Sequence, residues 1–260
     1  MAEPTPTQLY DDEALQRLRA VADMVSSGWS PGQAAVRVHS RSDDPAGVPE
    51  PRPVTMGDPE SLARVAVHFD VPGLHHAIES GFALGEFEDV VDGWLMPALA
   101  RLGAAWRDGR VSVAEEHFVS ASVQRHLAVL FDQTPRQPGG PRVLLGLARG
   151  SRHELGVLAF AIALRRTGVD VVYLGGDVPT EAWLSAVGSR RPAAVVLAVP
   201  SPDDVLATRE VVEAVTGHDQ DLPIMVGGSH QDEIERDVIR LGHEIAPAAR
   251  RMTDALLAKI

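Results

Sequence analysis

The chain has 260 residues, 45% apolar but only 5% aromatic, so Ala, Val and Leu must build whatever core it has. It has no cysteine, which excludes disulfides, thiolate metal sites, iron–sulfur ligation and cysteine nucleophiles together. Its 36 acidic residues outweigh 24 basic ones for a net charge of −12, and Lys259 is the sole lysine; direct nucleic-acid binding, which draws on Lys and Arg, is disfavoured.

The opening Met1-Ala-Glu-Pro-Thr-Pro carries no basic, apolar signal pattern. Apolar runs such as residues 157–164 are too short to span a bilayer, so a soluble cytoplasmic protein is expected. Residues 11–27 place Leu15, Leu18, Val21, Ala22 and Val25 at helical spacing, and Ser30-Pro31 then opens a short helix. Residues 37–57, with Pro45, Pro49, Pro51 and Pro53, read as a linker. Over 58–132 the pattern predicts four helices: 58–69, 72–81, 86–106 with a kink at Pro97, and one whose start at Val113 is set by the capping box Ser112-Val-Ala-Glu115. Short connections make these a small bundle.

Residues 133–141, rich in Pro and Gly, read as a hinge that leaves the flanking halves free to separate. From 142 to 260 β-branched runs at 143–148, 169–174, 194–199 and 224–226 alternate with helical intervals at 155–166, 180–188, 203–216 and 231–241, and a last helix covers 247–258. The expected fold class is therefore α/β: a four-helix bundle cap followed by a doubly wound, Rossmann-like parallel sheet.

Two places carry candidate chemistry. In Trp106-x9-Glu116-His117 an indole, a carboxylate and an imidazole meet at the junction of two helices, with Val113 and Ser120 beside them. Glu116 lies about 20° from the direction of Val123, on the arc that faces the bundle interior. A flat apolar surface next to paired polar groups suits a lid over a planar ligand. The second place is the loop after the first strand, Arg149 to Gly156, at the carboxyl end where open sheets bind ligands. There His153 can hold a metal through one ring nitrogen, with Ser151 as the nearest group to orient the other. Gly175-Gly176-Asp177, Pro200-Ser201 and Gly227-Gly228-Ser229 end the later strands, and their small residues admit a long ligand tail. Asp177 also stands where a ribose-binding acid would, but Gly146, Gly150 and Gly156 do not make G-x-G-x-x-G. No G-x-S-x-G elbow is present for a hydrolase.

On these residues, 58–258 resembles the cobalamin-binding module of MerR-type light-sensing transcriptional regulators (CarH/LitR-like). The resemblance implies that Trp106, Val113, Glu116 and His117 line the upper face of adenosylcobalamin, that His153 is the lower ligand of cobalt, and that Gly156 closes the D-x-H-x-x-G motif. It assigns the displaced nucleotide tail to Ser201, Gly227 and Gly228. Two positions depart from the pattern: Ser151 replaces the motif's leading acid, and Arg107 follows the lid tryptophan where light-sensing members carry histidine. Residues 10–36 resemble the end of a MerR DNA-binding domain without the winged helix-turn-helix that precedes it in that family. The implied protein is a cobalamin-binding sensor, not an enzyme, acting through self-association or a protein partner rather than through DNA contact or a membrane. A corrinoid carrier of a methyltransferase system, or a degenerate module for another tetrapyrrole or no cofactor, are the alternatives.

Overall fold

The structure, a computed structural model, describes residues 19–22 and 57–257. Residues 19–22 are helical, inside the first expected helix. The rest of that helix, the one at Ser30-Pro31 and residues 37–56 of the linker lie outside the described residues. Of the two units into which the chain divides, the second, Thr55–Ile260, holds residues 57–257.

Within the second unit the helical cap comes first. Helix α1 (Ser61–Ala66) follows Asp58-Pro59, whose carboxylate accepts the backbone N–H of Glu60. Helix α2 (Val71–Phe82) is capped by Asp70, which accepts from Gly73 N–H. The helix expected at 86–106 is three pieces in line: α3 (Phe87–Val90), a π turn (Val91–Leu95) and α4 (Met96–Arg107). Pro97 lacks an N–H and crowds the preceding turn, and the widened turn, with Met96 N–H donating to Val91 C=O, absorbs that misfit. Trp94 on this turn is buried against Gly81, where even a methyl group would lie within 2.5 Å of the indole ring. Helix α5 (Val113–Gln133) starts at the expected capping box, with both reciprocal bonds of Ser112 and Glu115 present.

The remainder is a five-stranded sheet, β1 (Arg142–Ala148), β2 (Asp170–Val178), β3 (Ala194–Ala198), β4 (Ile224–Gly227) and β5 (Ile239–Arg240), in the order 2-1-3-4-5. Every pairing is parallel. Helices α6 (Glu154–Arg166), α7 (Thr180–Arg190), α8 (Val205–His218) and α9 (Ile245–Leu257) cover its faces. Alternation along β1 shows the double winding. Val143, Leu145 and Leu147 join a core with α6, α9 and the cap, while Leu144 and Ala148 join a second core with α7 and α8. One expectation is corrected: 231–241 is not a helix but a single 3₁₀ turn (Gln231–Glu233), an irregular stretch and β5.

The segment expected to be a hinge is a change of architecture rather than a break in the core. Buried side chains from the cap and from α6 and α9 form one continuous cluster. Arg165, buried on α6, donates to the carbonyl of Phe131 on α5 and stacks 3.4 Å from the centroid of its ring. Arg166 bonds Glu86 and Glu88, and Asp92 on the π turn accepts the N–H groups of both Ile245 and Ala246 at 2.8 Å. Asp92 thus caps α9 from the other subdomain; burial pushes its carboxyl above the ordinary value even though those two N–H groups pull it down.

Candidate functional site

In the sheet order 2-1-3-4-5 the connections leave β1 and β3 in opposite directions, opening a crevice at their carboxyl ends. Cap helices α4 and α5 lie over that crevice. Between them is a chamber of about 750 Å³. Its roof is Trp106 and Arg107 from the end of α4 and Val113, Glu116, His117 and Ser120 from the start of α5. Its floor is Arg152, His153, Glu154 and Gly156, with Pro200, Gly227, Gly228 and Ser229 at the ends of β3 and β4. From there an apolar slot continues down one face of the sheet between Leu145 and Val196 on one side and Val157, Phe160 and Ala248 on the other.

The roof leaves large apolar surface open: Trp106 is 47% exposed and Val113 57%. Such surface in a concave site is what a bulky ligand covers. The polar groups beside it are ordered. His117 Nδ1 donates to Glu116 Oε2 at 2.9 Å, and the Ser120 hydroxyl donates to Glu116 Oε1 at 2.5 Å. Glu115 faces away; it closes the capping box and accepts the N–H of His68, and these donors hold its carboxyl below the ordinary value.

On the floor, the loop carrying His153 is clipped to β2. Asp177, at φ 54°, accepts Gly150 N–H at 2.7 Å, and its own N–H donates to the carbonyl of Ser151 at 2.8 Å. Gly150 N–H holds the Asp177 carboxyl below its usual value, aided by Arg152. Glu154, next to His153, accepts from the Tyr173 hydroxyl at 2.8 Å, and burial, followed by that carboxylate, drives the phenol upward. Gly228 is required where it stands: it adopts φ +98°, and a side chain there would meet the Val199 carbonyl at 2.7 Å.

The structure brings Trp106, Val113, Glu116, His117, His153, Gly156, Gly227 and Gly228 into one chamber. Ser151, Asp177 and Ser201 are not among its lining residues. Asp177 serves the loop clip. Ser201 caps a 3₁₀ turn, its hydroxyl accepting from Asp203 N–H. Ser151, within the loop, is buried, 1% exposed, and its hydroxyl has no hydrogen-bond partner. A buried hydroxyl without a partner is costly unless something completes it, and His153 is two residues away. Sequence reasoning missed the slot residues Leu145, Val157, Phe160, Val196 and Ala248, and also His243 and Glu244 on the β5–α9 loop. Apolar residues at strand and helix spacing give no sign of lining a cleft rather than a core, and the loop read as the gap between two expected helices, with no strand ahead of it to bring it to the ligand end of the sheet.

Among the described residues, no three His, Asp or Glu side chains gather as a metal cage. His153 therefore holds a metal only if the other ligands arrive with a cofactor. The donor set, the wide roof and the apolar slot fit a corrinoid, a macrocycle that supplies its own equatorial nitrogens and carries an aromatic base on a tail.

Comparison with known proteins agrees. Residues 141–256 match the B12 binding domain, and residues 60–131 match a second B12 binding domain model. The chain is 26% identical over 246 residues to the HTH-type transcriptional repressor CarA of Myxococcus xanthus, covering 94% of this chain and 82% of that protein. It is 33% identical over 190 residues to the HTH-type transcriptional repressor CarH of the same organism, covering 68% of this chain and 60% of the repressor. It is also 25% identical over 193 residues to the methanol–corrinoid protein of Methanosarcina barkeri, covering 72% and 73% of the two chains. In fold it is similar to the monomethylamine corrinoid protein of Methanosarcina barkeri, with a TM-score of 0.61 at 15% identity over 76% of this chain and 95% of that one. With one B12 binding domain on the cap, another on the sheet, and both repressors similar to this chain, the chain is a cobalamin-binding module similar to those of the CarA and CarH regulators.

Proposed function

We propose that the protein is an adenosylcobalamin-binding sensor that regulates transcription through self-association or a protein partner, rather than an enzyme. The observation that carries this is the single chamber shared by Trp106 above and His153 below, with an apolar slot leading away from it. When bound, a cobalamin supplies a cobalt centre with exchangeable axial positions and a light-cleavable upper bond. His153 would hold the cobalt, and the buried, unpartnered Ser151 hydroxyl two residues before it would be the group to accept its other ring N–H. Trp106 and Val113 exclude water from the upper face, and the paired Glu116 and His117 fix the polar rim. A ligand touching both cap and sheet favours the arrangement in which both are in reach, which is what a sensor requires. The similarity to two HTH-type repressors supports regulation.

Arg107 follows Trp106 where light-sensing members carry histidine, so binding and light response are read separately. The test is to incubate the purified protein with adenosylcobalamin in darkness and gel-filter it before and after illumination. Co-eluting absorbance at roughly 350–550 nm is expected, with an elution shift on illumination. Absence of co-eluting absorbance overturns cobalamin binding; an unchanged elution volume overturns light-driven reassembly alone. His153→Ala is expected to change the bound spectrum, and an unchanged one removes the axial assignment. The second reading, a corrinoid carrier in methyl transfer, is favoured by similarity to the methanol–corrinoid protein. Methyl-transfer turnover from bound methylcobalamin, without a light response, would select it.

A further inference from the structure

The loop joining β5 to α9 shares the lining with Gly227, Gly228 and Ser229 at the polar neck of the slot, to which it brings His243 and Glu244. This loop is built rather than loose. Gly242 sits at φ +87°, and the Leu241 carbonyl accepts from Arg251. Gln231, 2% exposed, lies behind the loop and accepts Gly242 N–H through Oε1 at 3.0 Å. That bond fixes which way the amide points, because only oxygen can accept. The amide NH₂ of Gln231 therefore faces His243 Nε2, at 3.5 Å. Nε2 must be the acceptor, which leaves the ring proton on Nδ1 as a donor for something else. Among the described residues, Nδ1 has no hydrogen-bond partner.

The slot below this neck is apolar, lined by Leu145, Val157, Phe160, Val196 and Ala248. A nucleotide tail entering it puts its aromatic base among these residues, and its phosphodiester is left at the polar neck. Glu244 opposes an anion there, so a placed donor is needed to offset it. Resting on the cobalamin reading, we infer that His243 is a binding residue for the nucleotide tail, its Nδ1–H donating to a phosphodiester oxygen at the neck of the slot. His243 then makes this chain discriminate a complete cobalamin from a corrinoid that lacks the nucleotide.

The experiment measures the affinity of wild-type, His243→Ala and His243→Asn proteins for hydroxocobalamin and for cobinamide, the same macrocycle without nucleotide, by spectral titration in darkness. The expected result is that His243→Ala weakens cobalamin binding about tenfold, as for loss of a hydrogen bond to a charged group, and leaves cobinamide binding unchanged. His243→Asn, whose amide offers an N–H close to the Nδ1 position, is expected to recover most of the loss. Equal weakening for both corrinoids, or no weakening for either, overturns the assignment to the tail. A wild-type protein that binds neither corrinoid overturns the cobalamin reading itself, and this inference with it.

Discussion

His126, on the inner side of α5, has a buried Nε2 with no hydrogen-bond partner, and its ring lies 4.6 Å from that of Phe82. Burial holds its imidazole below the ordinary 6.5, with Glu79 pulling it up and His75 pushing it further down. The sign follows directly. As pH falls below about 6.5 the unfolded chain takes up this proton before the folded one does, so stability is full above that value and declines beneath it. The urea midpoint of wild-type protein should fall between pH 8 and pH 5, and His126→Phe, which keeps a ring against Phe82, should lessen that fall. An equal fall in the variant would assign it to other groups. At this scale the sequence spoke unevenly. The convergence of Trp106, Glu116, His117 and His153 on one chamber was legible because their spacing puts distinctive chemistry at one helix end, the next helix start and a strand end. Asp177 and Ser201 looked equally well placed, but left-handed backbone at Asp177 turns its carboxylate onto Gly150, and the Ser201 hydroxyl is consumed by its own turn. Such local bonding has no trace in spacing.

Among the elements, the π turn at Val91–Leu95 matters most, because it aims Asp92 at the first N–H groups of α9. Asp92→Ala should cost about 1–2 kcal/mol, the range for losing an N-cap, measured as a shift in denaturation free energy. It should also weaken corrinoid binding, since Ile245, whose N–H is one of the two, lines the chamber. Asp92→Asn, still a good cap, should lose much less; similar losses for both would locate the effect in charge rather than in capping. Pro97 announced a disturbance in this helix, and periodicity and capping residues gave the ends of α2, α5 and α6 within one or two residues. β5 escaped because Ile234, Val238 and Leu241 fall at helical spacing by coincidence. A two-residue edge strand has no alternation to betray it, and its pairing with Met225 and Val226 is known only once β4 is in place.

For the molecule as a whole, the continuous core beneath cap and sheet argues that residues 57–257 unfold together. Free corrinoid at a hundred times its Kd should then raise stability by about 2.7 kcal/mol in a single, upward-shifted transition. Calorimetry showing two transitions, only one of them ligand-dependent, would instead restore the hinge expected at 133–141. That expectation came from proline and glycine content, which reports the chain's local shape but not the arginines that bridge across it. Helices α5 and α6 pack side by side with both first turns at the chamber, and near their far ends Arg165 fastens them at Phe131. A pair fastened at that end would part, if at all, like tweezers, at the chamber. Over the roughly 27 Å from Val113 to Phe131, a splay of about 5° would spread the tips by roughly 2.4 Å, so a modest flexing at the fulcrum would give a guest molecule room to enter or leave.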